Sequence, residues 1–160
     1  MTPTNDFSTN LQSERIALVP AGKSDLPRVT AMMQAYYALD GLVYTPEVEA
    51  AVGELLNRPD DGRVWLVQHQ DRTVGYAVVT FWYSLEFRGQ AAFLDEIYLE
   101  AEARGSGFGG EVIEALAGFC RGLGVRTLRL EVEHENTRAQ KAYQKAEFIT
   151  HPRHLMTKWL

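Results

Sequence analysis

Four glycines lie close together in the middle of the chain, in the segment Arg104-Gly105-Ser106-Gly107-Phe108-Gly109-Gly110. The segment follows residues 91–99, which read as a strand, and precedes an amphipathic run that reads as a helix. Glycines in such a connection let the backbone turn tightly and approach a ligand. The first turn of a helix also offers free N–H groups and the positive end of the helix dipole. This glycine segment therefore predicts a phosphate site.

Two simpler interpretations of the glycine segment are weak. In a connector without a ligand, ordering four glycines would cost conformational entropy that no binding interaction offsets. A P-loop has the spacing between Gly105 and Gly110, but it requires a lysine and then serine or threonine after the last glycine. The next residue is Glu111, whose carboxylate would repel a triphosphate.

A dinucleotide fingerprint, Gly-x-Gly-x-x-Gly, is matched by Gly105, Gly107 and Gly110, with Glu131 about twenty residues further on. Residues 100–104, however, separate the predicted strand from the first glycine, where that fingerprint needs them adjoining. The remainder of the chain is also too short for the rest of a dinucleotide fold. This interpretation stays open as the weaker alternative.

Three motifs together resemble one family. The glycine segment matches the signature [QR]-x-x-G-x-[GA] through Arg104, Gly107 and Gly109. Residues 94–99 (LDEIYL) resemble a characteristic fourth strand, and residues 130–143 resemble the segment L-x-V-x-x-x-N-x-x-A-x-x-x-Y. From about residue 15 to residue 160 the chain resembles the GNAT superfamily of acyl-CoA N-acyltransferases. In one departure from that pattern, Glu147 stands where the family usually ends a helix with glycine.

The resemblance implies that acetyl-CoA is a co-substrate, held in a split between the fourth and fifth strands, 91–99 and 125–133. The pantetheine arm would pair with the fourth strand around Ile97, Tyr98 and Leu99 and would contact Asn136. The pyrophosphate would bind the backbone amides of Arg104, Gly105, Ser106, Gly107, Phe108, Gly109 and Gly110. From the residues alone, Asn136 is equally suited to be a helix N-cap.

The resemblance also implies direct attack of an amine on the thioester in a ternary complex. An alkylammonium with a pKa near 10 must first lose a proton. Glu96, beside the expected thioester, is the candidate general base. Tyr143 would contact the cofactor beside the thioester sulfur and is the candidate acid for the departing thiolate. An amide near Ile97 would polarise the thioester carbonyl. A surface carboxylate and a core tyrosine are the alternatives for these two side chains. Regular alternation would turn Asp95 to the opposite face.

The pattern of apolar residues predicts an α/β (α+β) domain in which a mixed central β-sheet is flanked by helices, with strands four and five splayed around the cofactor. Helices are expected to begin near Ser24, at Thr45 and after the glycine segment, and to span 136–146. Strands are expected at 15–20, 63–69, 73–83, 91–99, 125–133 and 154–160.

Composition narrows the class of protein. The 160 residues carry 16 Lys and Arg against 21 Asp and Glu, a net charge of −5, which argues against a nucleic-acid partner. No apolar run is long enough to span a membrane, and the N-terminus has no signal-peptide pattern. The single cysteine, Cys120, fits a cytoplasmic location, and no metal site is expected. We expect one N-acetyltransferase domain over residues 1–160, with 1–12 flexible.

The acceptor is expected to be a primary amine of a small molecule. Aromatic residues on the first helix, the loop after it and the third strand, with Asp40 and Glu86 nearby in sequence, suit a cationic amine. Those aromatic residues are Tyr36, Tyr37, Tyr44, Phe81, Trp82 and Tyr83. An amine of a protein or peptide is an alternative acceptor, and a CoA-binding module without turnover is an alternative function. Exposed strand edges near the C-terminus suit a homodimer.

Overall fold

The structure, a computed structural model, describes residues 10–160. Six strands form one sheet in the order β1-β2-β3-β4-β5-β6, antiparallel except for the last pair. They are β1 (Leu11–Gln12), β2 (Ala17–Pro20), β3 (Gly62–His69), β4 (Arg72–Ser84), β5 (Gly89–Leu99) and β6 (Leu128–Arg129). Most of the N-terminal segment expected to be flexible, residues 1–9, lies outside the described residues. Leu11 and Gln12, also expected to be flexible, form a short strand that pairs with β2.

Helices cover both faces of the sheet. They are α1 (Leu26–Leu39), α2 (Pro46–Leu55), α3 (Phe108–Gly122) and α4 (Thr137–Lys145). Helices α1 and α2 bury one face through residues such as Val29, Met33 and Val52, which pack on Leu66 and Val78. Helix α3 buries the other face through Val112 and Leu116 against Trp65 and Val79. The predicted α/β class with a mixed sheet is confirmed. Within residues 10–160 no helix has the length and apolar character needed to cross a bilayer.

A β-bulge in β5 decides which side chains face the two cores. Leu94 pairs with Val79 and Glu96 pairs with Val78, so Asp95 has no partner on β4. The extra residue reverses the alternation that a regular strand would keep. Leu94 therefore packs in the α3 core, while Glu96 projects on the side of α1 and α2. In a regular strand the two would have shared one face.

Strands β5 and β6 meet only at Ala92 with Leu128 and Phe93 with Arg129, immediately before the bulge. Beyond these pairs the two strands diverge, which confirms the predicted splay. The prediction of a strand over 125–133 was too long, because its second half runs beside the open gap and has no ladder partner. Among residues 10–160, β5 after the bulge therefore has a strand partner only on the side of β4.

The prediction of a last strand at 154–160 was wrong. That segment has no strand partner, and Leu155, Met156 and Trp159 are all at least 70% exposed. A strand-like sequence does not form a strand without a neighbouring edge to supply hydrogen bonds. Arg153, just before the segment, forms an ion pair with Glu86 at the turn between β4 and β5, with an Nη2–Oε1 distance of 2.9 Å.

Helix α4 ends through an unfavourable residue. Glu147 has φ of +65°, in the left-handed region that a glycine adopts without steric cost. The amides of Glu147 and Phe148 donate to the carbonyls of Gln144 and Tyr143, at 3.1 and 2.9 Å. The helix therefore ends where a glycine would end it, and Glu147 carries the strain.

Replacing Glu147 with glycine should stabilise the protein by about 1 kcal/mol, because the left-handed conformation costs an L-residue roughly that much. Urea unfolding followed by circular dichroism measures the change. The matched control is Lys145→Gly in the last turn of α4, which should destabilise by about 1 kcal/mol. Equal destabilisation by both substitutions would contradict this account.

Candidate active site

The glycine segment forms a loop between β5 and α3, after a short 3-10 turn at Ala101–Ala103. Gly105 and Gly107 have φ of +78° and +92°, and Gly107 is the N-cap of α3. No acceptor between residues 10 and 160 takes a hydrogen bond from the amides of residues 105–109. These amides, at the positive end of the 15-residue α3, suit an anionic ligand.

Glu111, the residue that argues against a P-loop, forms an ion pair that keeps its carboxylate away from the loop amides. Arg15 Nε donates to Glu111 Oε1 at 2.6 Å, and the Ser13 hydroxyl donates to Oε2 at 2.8 Å. Arg15 also donates from Nη1 to the carbonyl of Ser106 at 2.8 Å. Arg15 balances the charge of the Glu111 carboxylate, and these contacts connect the segment between β1 and β2 to α3. The loop amides consequently face no unpaired carboxylate of this residue.

The second half of β5 leaves hydrogen-bonding groups free at the gap. The Glu100 amide donates to the Val74 carbonyl on β4 at 2.9 Å. Because amides alternate in direction along a strand, those of Ile97 and Leu99 point away from β4. The Leu99 carbonyl, on the same side, accepts from Arg104 Nε at 2.7 Å. The predicted binding residues Ile97, Tyr98 and Leu99 thus adjoin the glycine loop along one continuous edge.

Helix α4 begins beside the glycine loop. The side chain of Asn136 accepts a hydrogen bond from the Ala139 amide at 3.1 Å, so Asn136 is the N-cap of α4. In the first turn, Arg138 places Nη2 3.5 Å from the point where a Cβ on Gly105 would lie. The amides of the loop and this guanidinium share one region of the surface. A cation in the first turn opposes the helix dipole and is better accommodated by a nearby anion.

Glu96 is held by two tyrosines. Its Oε1 accepts from the Tyr37 hydroxyl of α1 at 3.1 Å, and its Oε2 accepts from the Tyr76 hydroxyl of β4 at 2.8 Å. Burial raises the pKa of the Glu96 carboxyl, and both hydrogen bonds oppose that rise. Burial and the neighbouring Glu96 raise the pKa of Tyr37 to about 12. Both hydroxyls therefore stay protonated and donate to the carboxylate.

Tyr143, the second candidate catalytic residue, packs partly buried against the core beneath α3. Its ring packs edge-on against Phe148 at 5.8 Å between centroids, and burial together with Asp40 raises its pKa. The pKa of Tyr36 is raised by burial and by Asp40, Glu96 and Tyr143, so these side chains lie within electrostatic reach of one another. Tyr36 and Asp40 are thus each within electrostatic reach of both candidate catalytic side chains.

The predicted aromatic acceptor surface divides into two parts. Tyr36, Tyr37 and Tyr44 pack together, with ring centroids 5.8 and 5.7 Å apart, around Glu96. Phe81, Trp82 and Tyr83 lie toward the opposite end of β4, where Tyr83 pairs with Gln90. That end is six residues of β5 from Glu96, about 20 Å. Glu86, in the turn after β4, forms an ion pair with Arg153. The distance favours the tyrosines around Glu96 as the acceptor surface, and a role for the other four residues stays a prediction.

Two residues at the site were missed by the sequence analysis. Tyr76 was overlooked because the bulge at Asp95, which brings it beside Glu96, has no sequence signal. Arg138 did carry a signal, since a cation in the first turn of a helix is unfavourable unless it meets an anion.

Comparisons with known proteins agree with the fold. The sequence model of the Acetyltransferase (GNAT) family matches residues 29–148. A thialysine N-epsilon-acetyltransferase from Bos taurus is 33% identical over 105 residues, which are 66% of this chain and 58% of that protein. The corresponding enzyme of Mus musculus is 30% identical over the same shares. The match thus spans about three fifths of the length of these relatives.

A solved structure supports the fold over nearly the whole chain. An integron cassette protein from the mobile metagenome of Cole Harbour Salt Marsh superposes with a TM-score of 0.79. It is 30% identical, and the match covers 89% of this chain and 90% of that one.

Proposed function

Because the chain belongs to the GNAT acetyltransferase family, we propose that it is an acetyl-CoA-dependent N-acetyltransferase acting on a primary amine of a small molecule. The transfer occurs by direct attack in a ternary complex. The observation that carries the proposal is the position of Glu96, held between Tyr37 and Tyr76 at the gap between β5 and β6. The thialysine acetyltransferases among its relatives support an amine acceptor of low molecular weight.

The residues around the gap fit acetyl-CoA. The unpaired amides of residues 105–109 suit its pyrophosphate, and Arg138 adds a cation beside them. The outward amides of Ile97 and Leu99 suit the amide groups of the pantetheine arm, with Asn136 across the gap. Acetyl-CoA supplies the acetyl thioester that the amine attacks. An acidic chain thus binds a heavily anionic molecule largely through backbone groups.

Glu96 acts as the general base. It accepts a proton from the alkylammonium, directly or through one water, and leaves the nitrogen lone pair free to attack. The Ile97 amide stabilises the negative charge that develops on the carbonyl oxygen. As the new C–N bond forms, the C–S bond breaks and its electron pair leaves on sulfur. The nitrogen releases its second proton to solvent, which leaves the neutral amide. Tyr143 donates its phenolic proton to that sulfur and recovers a proton from solvent.

A panel of amines with acetyl-CoA tests the proposed function. Release of free CoA thiol should occur with at least one class among polyamines, amino acids and aminoglycosides. Thiol release only with peptide or protein amines would replace the small-molecule acceptor by a protein acceptor. Binding of acetyl-CoA in isothermal titration, without thiol release on any amine, would identify a binding module instead.

Gly107→Ala should weaken acetyl-CoA binding about tenfold, because the substitution distorts the loop. A tenfold increase in the dissociation constant corresponds to a loss of about 1.4 kcal/mol of binding free energy. The φ of +92° does not suit alanine, and its Cβ would lie 3.0 Å from Arg15 Nη2. Isothermal titration measures the dissociation constant. The control is Gly118→Ala on the exposed face of α3, where a Cβ meets nothing within 4 Å. Equal affinity of the two variants would remove the loop from the binding site.

We further propose that residues 1–160 act as one N-acetyltransferase domain in the cytoplasm and that two copies associate through residues 149–160. A cytoplasmic location suits the buried thiol of Cys120, whose pKa burial raises to about 11.

The 149–160 segment exposes Leu155, Met156 and Trp159 among basic residues, and the segment 131–135 (EVEHE) offers a surface of opposite charge on a second copy. Sedimentation velocity should show a dimer that Trp159→Ser weakens; a monomer at all concentrations contradicts it.

A further inference from the structure

Tyr76 is the most deeply buried polar side chain at the site. It is 0% exposed in the core beneath α1 and α2, and its hydroxyl donates to Glu96 Oε2 at 2.8 Å. We infer that Tyr76 is a positioning residue, which fixes the orientation of the Glu96 carboxylate and keeps it ionised so that it can accept a proton. The inference rests on the proposed function, in which Glu96 takes a proton from the amine, and it adds Tyr76 to the proposed site.

The geometry leaves the carboxylate little freedom. Tyr76 and Glu96 are neighbours across β4 and β5, where Glu96 pairs with Val78 and Tyr76 pairs with Tyr98. The ring of Tyr76 lies 5.9 Å from that of Tyr98 and is enclosed by the core, so its hydroxyl cannot turn to water. Tyr37 holds the other oxygen from α1. Each oxygen accepts one hydroxyl and keeps a further lone pair for the substrate.

Among residues 10–160, the titratable groups found to act on Glu96 bring no positive charge to the carboxylate. The titratable groups that act on Glu96, or on which it acts, are Tyr36, Tyr37 and Asp40 from α1 and its end, Tyr44 before α2, Tyr76 from β4 and Asp95 from β5. Within residues 10–160 none of these is a cation. Burial and the two aspartates favour the protonated acid, and the hydroxyls of Tyr76 and Tyr37 favour the carboxylate.

A purely structural tyrosine would give different behaviour. If Tyr76 only filled the core, Tyr76→Phe would leave the affinity of Glu96 for protons unchanged. If it positions and ionises Glu96, the variant should raise that affinity, because a hydrogen bond from a buried hydroxyl to a carboxylate is lost. Phenylalanine keeps the ring and hence the packing with Tyr98.

The experiment follows the side-chain carboxyl carbon of Glu96 by ¹³C NMR in protein labelled at glutamate, with Glu96→Gln for assignment. Tyr76→Phe should raise the pKa of Glu96 by about one to two units, and the acidic limb of kcat/KM should move to higher pH by the same amount. Tyr37→Phe is the matched comparison. It should give a smaller shift, since its hydrogen bond is longer, at 3.1 Å, and its side chain is only partly buried.

No shift in folded Tyr76→Phe overturns the inference. If that variant fails to fold, a measurement on the wild-type protein still tests the inference. The hydroxyl proton of Tyr76, assigned by its loss of titration in Glu96→Gln, should move with the same pKa as the Glu96 carboxyl. An invariant resonance would again overturn the inference. A shift in the pKa of Glu96 without acetylation of any amine would support Tyr76 as the positioning residue and refute the proposed function. Acetylation without such a shift would support the proposed function and overturn the inference about Tyr76.

Discussion

Glu96→Gln should lower kcat/KM for the best amine of the panel by 10²- to 10⁴-fold at neutral pH, the usual contribution of a general base. Glutamine has the shape of glutamate and can still accept from the Tyr76 hydroxyl, so the site should remain folded. It cannot take a proton from an alkylammonium. Since burial raises the pKa of Glu96, the acidic limb of the wild-type profile should lie above the usual range of a free glutamate.

The deficit of Glu96→Gln should shrink as the pH approaches 10, because a growing fraction of the amine then arrives already neutral. Initial rates of thiol release across the pH range measure this convergence. Glu86→Gln is the matched control, because its carboxylate pairs with Arg153 at the opposite end of the sheet. If the two variants show equal rates, or if the deficit of Glu96→Gln is independent of pH, Glu96 is not the base.

Tyr143→Phe should lower kcat by about 10²-fold or less, the effect of losing one proton-transfer group. The hydroxyl is suited to the role because burial and then Asp40 raise its pKa, so that it carries its proton at neutral pH. Phenylalanine keeps the edge-on contact with Phe148, so the affinity for acetyl-CoA should not change. Steady-state kinetics and isothermal titration measure the two quantities separately.

Tyr83→Phe serves as the comparison for this prediction. Tyr83 is 73% exposed near the turn between β4 and β5, so its hydroxyl should be dispensable. An unchanged kcat in Tyr143→Phe would remove Tyr143 from the role of acid. A large loss of acetyl-CoA affinity in that variant would instead point to a binding role for the hydroxyl.

Much of the fold follows from local sequence. Helix α1 carries Pro27 in its first turn, and α2 begins at Pro46 after Thr45, as the predicted boundaries require. The glycine loop follows from composition alone, because few segments other than a tight turn at a helix start use four glycines in six residues. The predictions failed where strand formation depended on a partner, at 125–133 and at 154–160. A strand gains its hydrogen bonds only from a neighbour, and local sequence does not specify that neighbour.

Local sequence specifies the residue types that the proposed acetyl transfer would use: a glycine loop before a helix, a carboxylate at residue 96 and a tyrosine on the last helix. The direction in which the Glu96 side chain points depends on the pairing of β5 with β4. One extra residue, Asp95, reverses the alternation of β5 and turns the carboxylate from the α3 core toward Tyr37 and Tyr76. The bulge is defined by pairing with β4, a contact between distant parts of the chain. Its position therefore cannot be predicted from the local pattern of β5.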